Sequence, residues 1–569
     1  MRIRHLSIRN FRGIRELDWP LPDKALFCLI GRGDSTKSTI LEALRRMFYP
    51  QWNLAFDDAD FHHCAPENKI SIEVIVGDIP DQFRDLESYG HRLCGWSRAT
   101  LCRYDEPGDG LEDALRVRLT VGDDLEPSWR VVKDDNDEGV SFKATDRAKV
   151  GVSLIGAISD RHLTWSRGSL LSHLTDAENL ALSLAEAGRA AKSALEARRN
   201  QNLTRFDEVA RIAEATARSL GVNVASSYKA HLDSDAVSVH IGGLALHDGE
   251  MPLRQLGLGS KRMLITGLQK QALRAPHITL FDEVEIGLEP HRIARLVEHL
   301  KADTTGQYVV TTHSPVVLRE LTVDDLHILH CRSGRTEIIA ANKPAIADSI
   351  QGKIRSGAEA FLAPKIIVCE GATEAGFLRG LDDHWSSKAM NSFAYQGVAQ
   401  FDADGASKIK EVADGLRQLS YDVAVLADSD EPAQFSDEDA DYLRGNGVAV
   451  TIWDGAMSVE ERVFADIPWP GAMASFEAAC TLHGDRERLL DQTRTQYGSG
   501  FERNPAAWVD DPRLRTALGK AAKTSKWFKR QDRAQEWVNA IRGYLDDPAI
   551  RSSDLVLKLN ALREWIDRA

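Results

Sequence analysis

Two groups of residues in this chain of 569 have the types and spacing to do chemistry. The first is Gly31-Arg32-Gly33-Asp34-Ser35-Thr36-Lys37-Ser38-Thr39. It follows the apolar run 26–30 and leads into residues 40–48, whose apolar side chains recur at helical spacing. In the order strand, glycine-bearing loop, helix, backbone N–H groups and a helix N-terminus can surround phosphate oxygens. Lys37 would reach the outer phosphates of a nucleotide and Ser38 would hold Mg²⁺. Thr36 stands where a glycine usually precedes the lysine, and a Cβ there would crowd the phosphates and slow turnover. The second group is acidic. Glu370 follows the apolar run 365–369, and Glu374 falls in the first turn of the helix after it. Asp428 and Asp430 follow the apolar run 422–427, and a third run, 448–453, is followed by Ser458-Val459-Glu460. Acids at the C-terminal ends of strands that alternate with helices form an oxygen-only site on the carboxyl edge of a parallel sheet. Such donors select Mg²⁺ or Mn²⁺ over zinc, and one or two ions there could activate water and stabilise the leaving oxygen of a phosphodiester. Any one of these acids reads as a solvated loop carboxylate; the ordered set is what points to a site.

The elements that must position these residues can be read in chain order. Residues 1–20 alternate as a strand pair, and residues 70–76 and 115–121 alternate as further strands of a β-rich arm. Gln51 and Asp60 lie just past the first helix, and either could approach a nucleotide. From 176 to about 220 the composition turns to Ala, Leu, Glu and Arg, with Leu180, Leu182, Leu184, Ala187 and Ala191 at mixed helical spacings. That is a helical hairpin, either a peripheral pair or a dimerisation arm, since its apolar stripe needs a partner. A strand is expected over 236–241. Gly259 and Ser260 then open a helix running from Met263 to about Leu273, an anion site for the γ-phosphate of a nucleotide held by another subunit. The apolar strand 277–281 ends in Asp282, which can hold Mg²⁺ through water, and Glu283, which can polarise attacking water. The strand 308–312 delivers His313 to the same edge, where it could sense the γ-phosphate.

In that order, these motifs resemble the ABC-type ATPase heads of the recombination and repair class, as does the opening Ile8-Arg9-Asn10-Phe11-Arg12-Gly13. The resemblance implies ATP with Mg²⁺ sandwiched between two subunits, so at least a homodimer. The acidic set resembles the Toprim fold: Glu370 matches its motif glutamate, Asp428 and Asp430 its Asp-x-Asp, and Glu374 the second acid of its nuclease subgroup. Head, helical insert and Toprim domain together resemble the OLD (overcoming lysogenization defect) nucleases, closest to class 2, which includes the nuclease subunit of the Gabija anti-phage system. That resemblance implies that Ser458 and Glu460 join the metal site. It also implies a downstream lysine that neutralises charge at the scissile phosphate, either Lys529 or Lys526, with Lys529 preferred. It further implies a role in phage defence or DNA repair, with a helicase encoded nearby.

The expected fold class is α/β: an ABC-type P-loop ATPase with an inserted helical dimerisation arm, then a C-terminal Toprim domain with a helical extension. The expected bounds are 1–160, 161–232, 233–345 and 360–569. A net charge of −14 argues against nonspecific coating of nucleic acid but allows a local basic groove, for which the region around Lys520, Lys523, Lys526, Lys529 and Arg530 is densest. Trp527 and Phe528 there read as core. Seven cysteines without a CxxC pair fit a reducing compartment, and His62-His63-Cys64 reads as surface. No apolar run could span a bilayer, so a cytoplasmic protein is expected. Two other readings compete. One is an ATP-driven DNA clamp whose Toprim domain only binds. The other is a strand-passage enzyme, which needs a nucleophilic tyrosine such as Tyr395 or Tyr421.

Overall fold

The computed structural model describes residues 1–33, 35–135, 137–155, 160–165, 169–174, 204–232, 244–272, 277–343 and 347–568. They form two compact units, Met1–Ala340 and Ala341–Ala569.

The first unit is built on one long mixed sheet. Its parallel part runs Val152–Ile155, Ile278–Phe281, Gln307–Thr311, Leu26–Gly31 and Leu326–Arg332 in spatial order. The three inner strands of this part, Ile278–Phe281, Gln307–Thr311 and Leu26–Gly31, are buried at every position, as strands covered on both faces must be. Because they are parallel, their C-terminal ends share one edge. That edge carries the loop 31–36, Asp282 and His313. Beyond it the sheet continues through Arg335–Ala340, Ile14–Pro20, Arg2–Phe11, Ile70–Gly77 and Glu112–Val121, mostly antiparallel. Ile14–Pro20 alternates buried and exposed residues, the pattern expected of residues 1–20.

The helix Lys37–Met47 buries Ile40, Leu41, Leu44 and Met47 in the core that also holds Phe27 and Leu29. The Gly-Ser helix begins earlier than expected, at Leu258 rather than Met263, so Gly259 and Ser260 sit in its first turn. The expected strand over 236–241 and the hairpin residues Leu180, Leu182, Leu184, Ala187 and Ala191 lie outside the described residues. Within the span 161–232, Thr204–Ser219 is helical, but Tyr228–Leu232 is a strand paired with Leu244–Asp248. Alternation of Tyr228, Ala230 and Leu232 with Lys229 and His231 explains that departure from the helical expectation. The strands Leu326–Arg332 and Arg335–Ala340 were not anticipated.

The second unit has a four-stranded parallel sheet among the described residues, ordered Val398–Asp402, Lys365–Cys369, Asp422–Ala427, Ala449–Ile452. Three of these strands match the runs read from the sequence; the edge strand Val398–Asp402 does not, because its half-buried face lacks an apolar run. The extension is helical: Arg486–Tyr497, Pro512–Thr524, Gln531–Ile541 and Asp554–Asp567. Trp527 and Phe528 are fully buried, and Phe528 stacks on Trp537 with ring centroids 4.2 Å apart.

The helix Ala372–Ser387 lies against Gln531–Ile541 through two glycines. A Cβ on Gly376 would stand 2.3 Å from the Gln531 carbonyl oxygen, and one on Gly380 2.4 Å from Val538 Cβ. Alanine in place of glycine gains up to about 1 kcal/mol of helix propensity, whereas forcing an atom into a packed core costs about 1–3 kcal/mol. The clash wins where the opposing atom is backbone. Gly376→Ala is therefore expected to lower the melting temperature of the full chain, as read by circular dichroism. An unchanged or higher melting temperature would contradict this packing.

Candidate functional site

The edge of the first sheet brings most of the nucleotide-site residues together. The Ser38 hydroxyl donates to Asp282 Oδ1 at 3.0 Å, so the two residues expected to share a Mg²⁺ are in direct contact. Thr311 Oγ1 also donates to Asp282 Oδ1 at 2.8 Å and accepts the Glu283 N–H at 2.8 Å. Lys37 Nζ donates to the carbonyls of Gly31 and Arg32 and to Ser35 Oγ, at 3.0, 2.8 and 3.0 Å. Its ammonium is thus held inside the loop that phosphates would fill. Gly33 has open space where a Cβ would be, Thr39 lies in the first turn of the helix, and Asp34 is outside the described residues.

Thr36 takes a left-handed conformation, φ 69°, which a β-branched residue adopts at a cost. Its hydroxyl reaches the Ser35 carbonyl and Thr336 Oγ1, at 2.5 and 3.1 Å, and these contacts hold the turn a glycine would make freely. Asp60 serves as the partner of Arg12 and Arg46, at 2.9 and 2.7 Å, and the Gln51 carbonyl is held by Arg147. His313 is exposed, and its backbone N–H donates to Glu285 Oε1 at 2.7 Å. Glu285, which the sequence reading passed over, also accepts the Thr312 hydroxyl at 2.7 Å and so joins two strand ends. Its spacing, two residues after Glu283, was the available signal. Ser260 Oγ accepts from Arg292 at 3.0 Å.

The second sheet gathers four carboxylates. Glu370 follows the strand Lys365–Cys369, and Glu374, on the helix after it, accepts the Gly371 N–H at 2.8 Å. Asp428 follows Asp422–Ala427, and its Oδ1 accepts the Val459 N–H at 2.9 Å, tying that loop to the helix Val459–Asp466. Ser429 and Met457 reinforce the link, Met457 N–H donating to Ser429 Oγ at 2.9 Å. Ser458 caps that helix by accepting the Glu461 N–H at 3.3 Å, and its hydroxyl also holds Glu460. Glu374 and Glu460 are only 5% exposed.

These acids act on one another. Burial first, then the charges of Glu460 and Glu370, push Glu374 up to about 8. Burial pushes Glu460 up to about 7, opposed by the Ser458 hydrogen bond and the Lys529 ammonium. Asp428 is raised well above the usual carboxylate range by burial, then by Glu374, Glu460 and Glu370. Glu370 is raised by burial and lowered in part by Lys529 and Lys523. Lys529 is thus within electrostatic reach of two members of the set. The Asp430 carboxylate forms an ion pair with Lys523, a residue on Pro512–Thr524 in the basic region around Lys520 to Arg530.

An oxygen-only set in which burial and mutual repulsion raise the proton affinity of every member fits Mg²⁺ or Mn²⁺ in chemistry. Among the described residues, no three acidic, histidine or cysteine side chains already stand where they would grip one ion. Of the tyrosines, Tyr421 is buried and donates its hydroxyl to the Phe361 carbonyl at 2.7 Å, while Tyr395 is 76% exposed. All seven cysteines are free thiols.

Three family models match the chain. Residues 1–88 match an AAA ATPase domain, and residues 111–319 match an AAA domain described as a putative AbiEii toxin of a type IV toxin–antitoxin system. Residues 361–430 match the Toprim domain of overcoming lysogenization defect protein-like proteins. The chain joins an AAA-type ATPase domain to an OLD-like Toprim domain. That pairing supports, in general terms, an ATP-dependent nuclease activity. No curated protein matches the sequence. Among solved structures, an SMC head bound to the C-winged helix domain of ScpA aligns at 14% identity and TM-score 0.38, covering 60% of this chain and 97% of that one. The SMC head domain of Thermotoga maritima aligns at 15% identity and TM-score 0.31, covering 60% and 99%. Among the described residues, no helix of the ATPase or Toprim domain is long and apolar enough to cross a membrane.

The raised acids of the Toprim domain have a consequence for stability. Unfolded, Glu374 and Glu460 would lose their protons near 4.3; folded, they keep them to about 8 and about 7. Between those values the folded chain binds more protons than the unfolded one, so stability falls as pH rises. With a chelator present, raising the pH from 6 to 8 is expected to destabilise the Toprim domain by on the order of 1–3 kcal/mol. Glu374→Gln should flatten that dependence. Urea melts at the two pH values check it, and an equal slope in wild type and variant would contradict it.

Proposed function

We propose that this protein is a divalent-metal-dependent DNA endonuclease or nickase whose cutting is controlled by ATP bound in its ATPase domain. The observation that carries this reading is the meeting of Glu370, Glu374, Asp428 and Glu460 at one sheet edge, with Lys529 in electrostatic reach of two of them. These four acids would hold one or two Mg²⁺ or Mn²⁺ ions, with Asp430 joining on release from Lys523. The bound metal supplies Lewis acidity and an activated water. Lys529 stabilises the negative charge that develops on the scissile phosphate. Ser458 orients Glu460 through its hydroxyl while fixing the helix that carries it. The exposed lysines Lys520, Lys526 and Lys529 bear on the DNA backbone, positioning it without reading its sequence.

In the ATPase domain, residues 31–39 cradle the phosphates of Mg²⁺–ATP. Lys37 turns from its own loop carbonyls to the outer phosphates, and Ser38 and Asp282 hold the ion. Glu283 polarises water, His313 senses the γ-phosphate, and Gly259 and Ser260 of a second copy close the site. A homodimer or higher oligomer follows from that arrangement. The OLD resemblance, closest to class 2 and the Gabija nuclease subunit, supports a cytoplasmic role in phage defence or DNA repair alongside a helicase encoded nearby.

Incubating supercoiled plasmid with the full chain and Mg²⁺ or Mn²⁺, with and without ATP, tests the reading. Wild type should nick or linearise the plasmid. Asp428→Ala should abolish cutting, and Lys529→Ala should reduce it by on the order of 10²–10³, the range for loss of one charge-stabilising group. Equal cutting by wild type and Asp428→Ala would sink the proposal.

A further inference from the structure

Arg262 is fully buried in the Gly-Ser helix of the ATPase domain, two residues after Ser260. Its guanidinium donates to backbone carbonyls. One arm, Nη1, donates to the Glu283 carbonyl, and the other, Nη2, donates to the Asp282 carbonyl at 2.8 Å. Two successive backbone oxygens are thus held by one planar fork, which the single point charge of a lysine could not reproduce. The turn so held is strained: Glu283 has φ 48°, in the left-handed region that a non-glycine residue rarely occupies.

The same turn is tied to the Gly-Ser helix twice more. A Cβ on Gly259 would stand 2.1 Å from the Gly287 carbonyl oxygen, so the two backbones touch. Arg292, on the helix Pro290–Ala302 that follows the turn, donates to Ser260 Oγ at 3.0 Å. The start of the Gly-Ser helix and the residues from 282 to 292 are therefore joined at three places.

We propose that Arg262 is a positioning residue for ATP hydrolysis: it fixes the strained turn that aims Asp282 and Glu283, and links that turn to Ser260. The inference rests on the ATP reading of this site. It goes beyond it by naming the contact through which engagement of Ser260 with a nucleotide on a second copy is felt by the carboxylates of the first. Arg262 is fully buried and donates to backbone carbonyls, so its removal should slow the chemical step and spare binding.

The test uses the full chain with Arg262→Lys, Arg262→Gln and Glu283→Gln. ATP turnover is measured against ATP concentration, nucleotide affinity with a fluorescent ATP analogue, and folding by melting temperature. The expected result is a kcat lower by on the order of 10–100-fold in both Arg262 variants, the range for a misplaced catalytic group. KM and nucleotide affinity should stay within about two-fold. In Glu283→Gln, adding Arg262→Gln should cost clearly less than it does in the wild type, because one of the two carboxylates it aims is already disabled; a merely structural role would add its full loss. Unchanged kcat, a loss of affinity that accounts for the whole effect, or additive losses in the double variant would overturn the proposal. Arg262→Lys keeps the charge and the packing volume, so it carries the test if Arg262→Gln melts early. The wild-type rate tests the ATP reading separately, and the ratio of variant to wild type tests Arg262.

Discussion

The structure of the Toprim domain depends on a repulsion. Four carboxylates meet where three parallel strand ends and two helix N-termini converge, and two of the four are almost fully buried. Like charges removed from water and placed side by side are among the costliest arrangements in a protein. The domain tolerates them by raising their proton affinity, Glu374 to about 8 and Glu460 to about 7, and by directing backbone N–H groups and a serine hydroxyl at them: Gly371 to Glu374, Val459 to Asp428, Ser458 to Glu460. No apolar packing requires acids there. Strand ends and helix starts are kept in register by the sheet, and the large aromatic core around Trp527, Phe528 and Trp537 holds the lysine-bearing segment in place beside them. A stable fold thus supports a locally unstable site, the usual sign that a site is built for something outside the chain.

The ATPase domain shows the complementary condition, a cation held where an anion belongs. Lys37 is turned onto its own loop carbonyls, and Ser38 and Asp282 bond directly to each other. Each is a contact that phosphate and Mg²⁺ would displace at modest cost, since the replacement partners carry full charge. Thr36 adds a constraint that a glycine would not: it holds a left-handed backbone through hydroxyl contacts to Ser35 and Thr336. The loop is therefore anchored to the neighbouring strand Arg335–Ala340, and any change in the loop is felt by the sheet.

Much of this was legible in the sequence, for a physical reason. Parallel strands buried on both faces read as continuous apolar runs, so residues 26–30, 365–369 and 422–427 announced themselves, and the polar residues after them marked the functional edge. Tryptophan and phenylalanine at 527 and 528 read as core and are core. What was hidden had weaker or tertiary signals. The edge strand Val398–Asp402 is only half buried, so it lacks an apolar run. The pairing of Asp430 with Lys523 joins positions far apart in sequence, and no local pattern foretells it. Arg262 acts through backbone groups, the Asp282 and Glu283 carbonyls, and Glu285 does so in part, through the His313 N–H. Side chains that bind backbone leave no complementary residue type to search for.

The central claim is that the acid set of the Toprim domain is completed by a divalent cation. Calorimetric titration of Mn²⁺ into the full chain near pH 7, run in two buffers of different ionisation enthalpy, tests it most directly. Acids held at about 8 and about 7 must give up protons to bind metal. The account predicts binding accompanied by net proton release, with both lost in Asp428→Ala. Binding without proton release, or equal binding by wild type and Asp428→Ala, would contradict it.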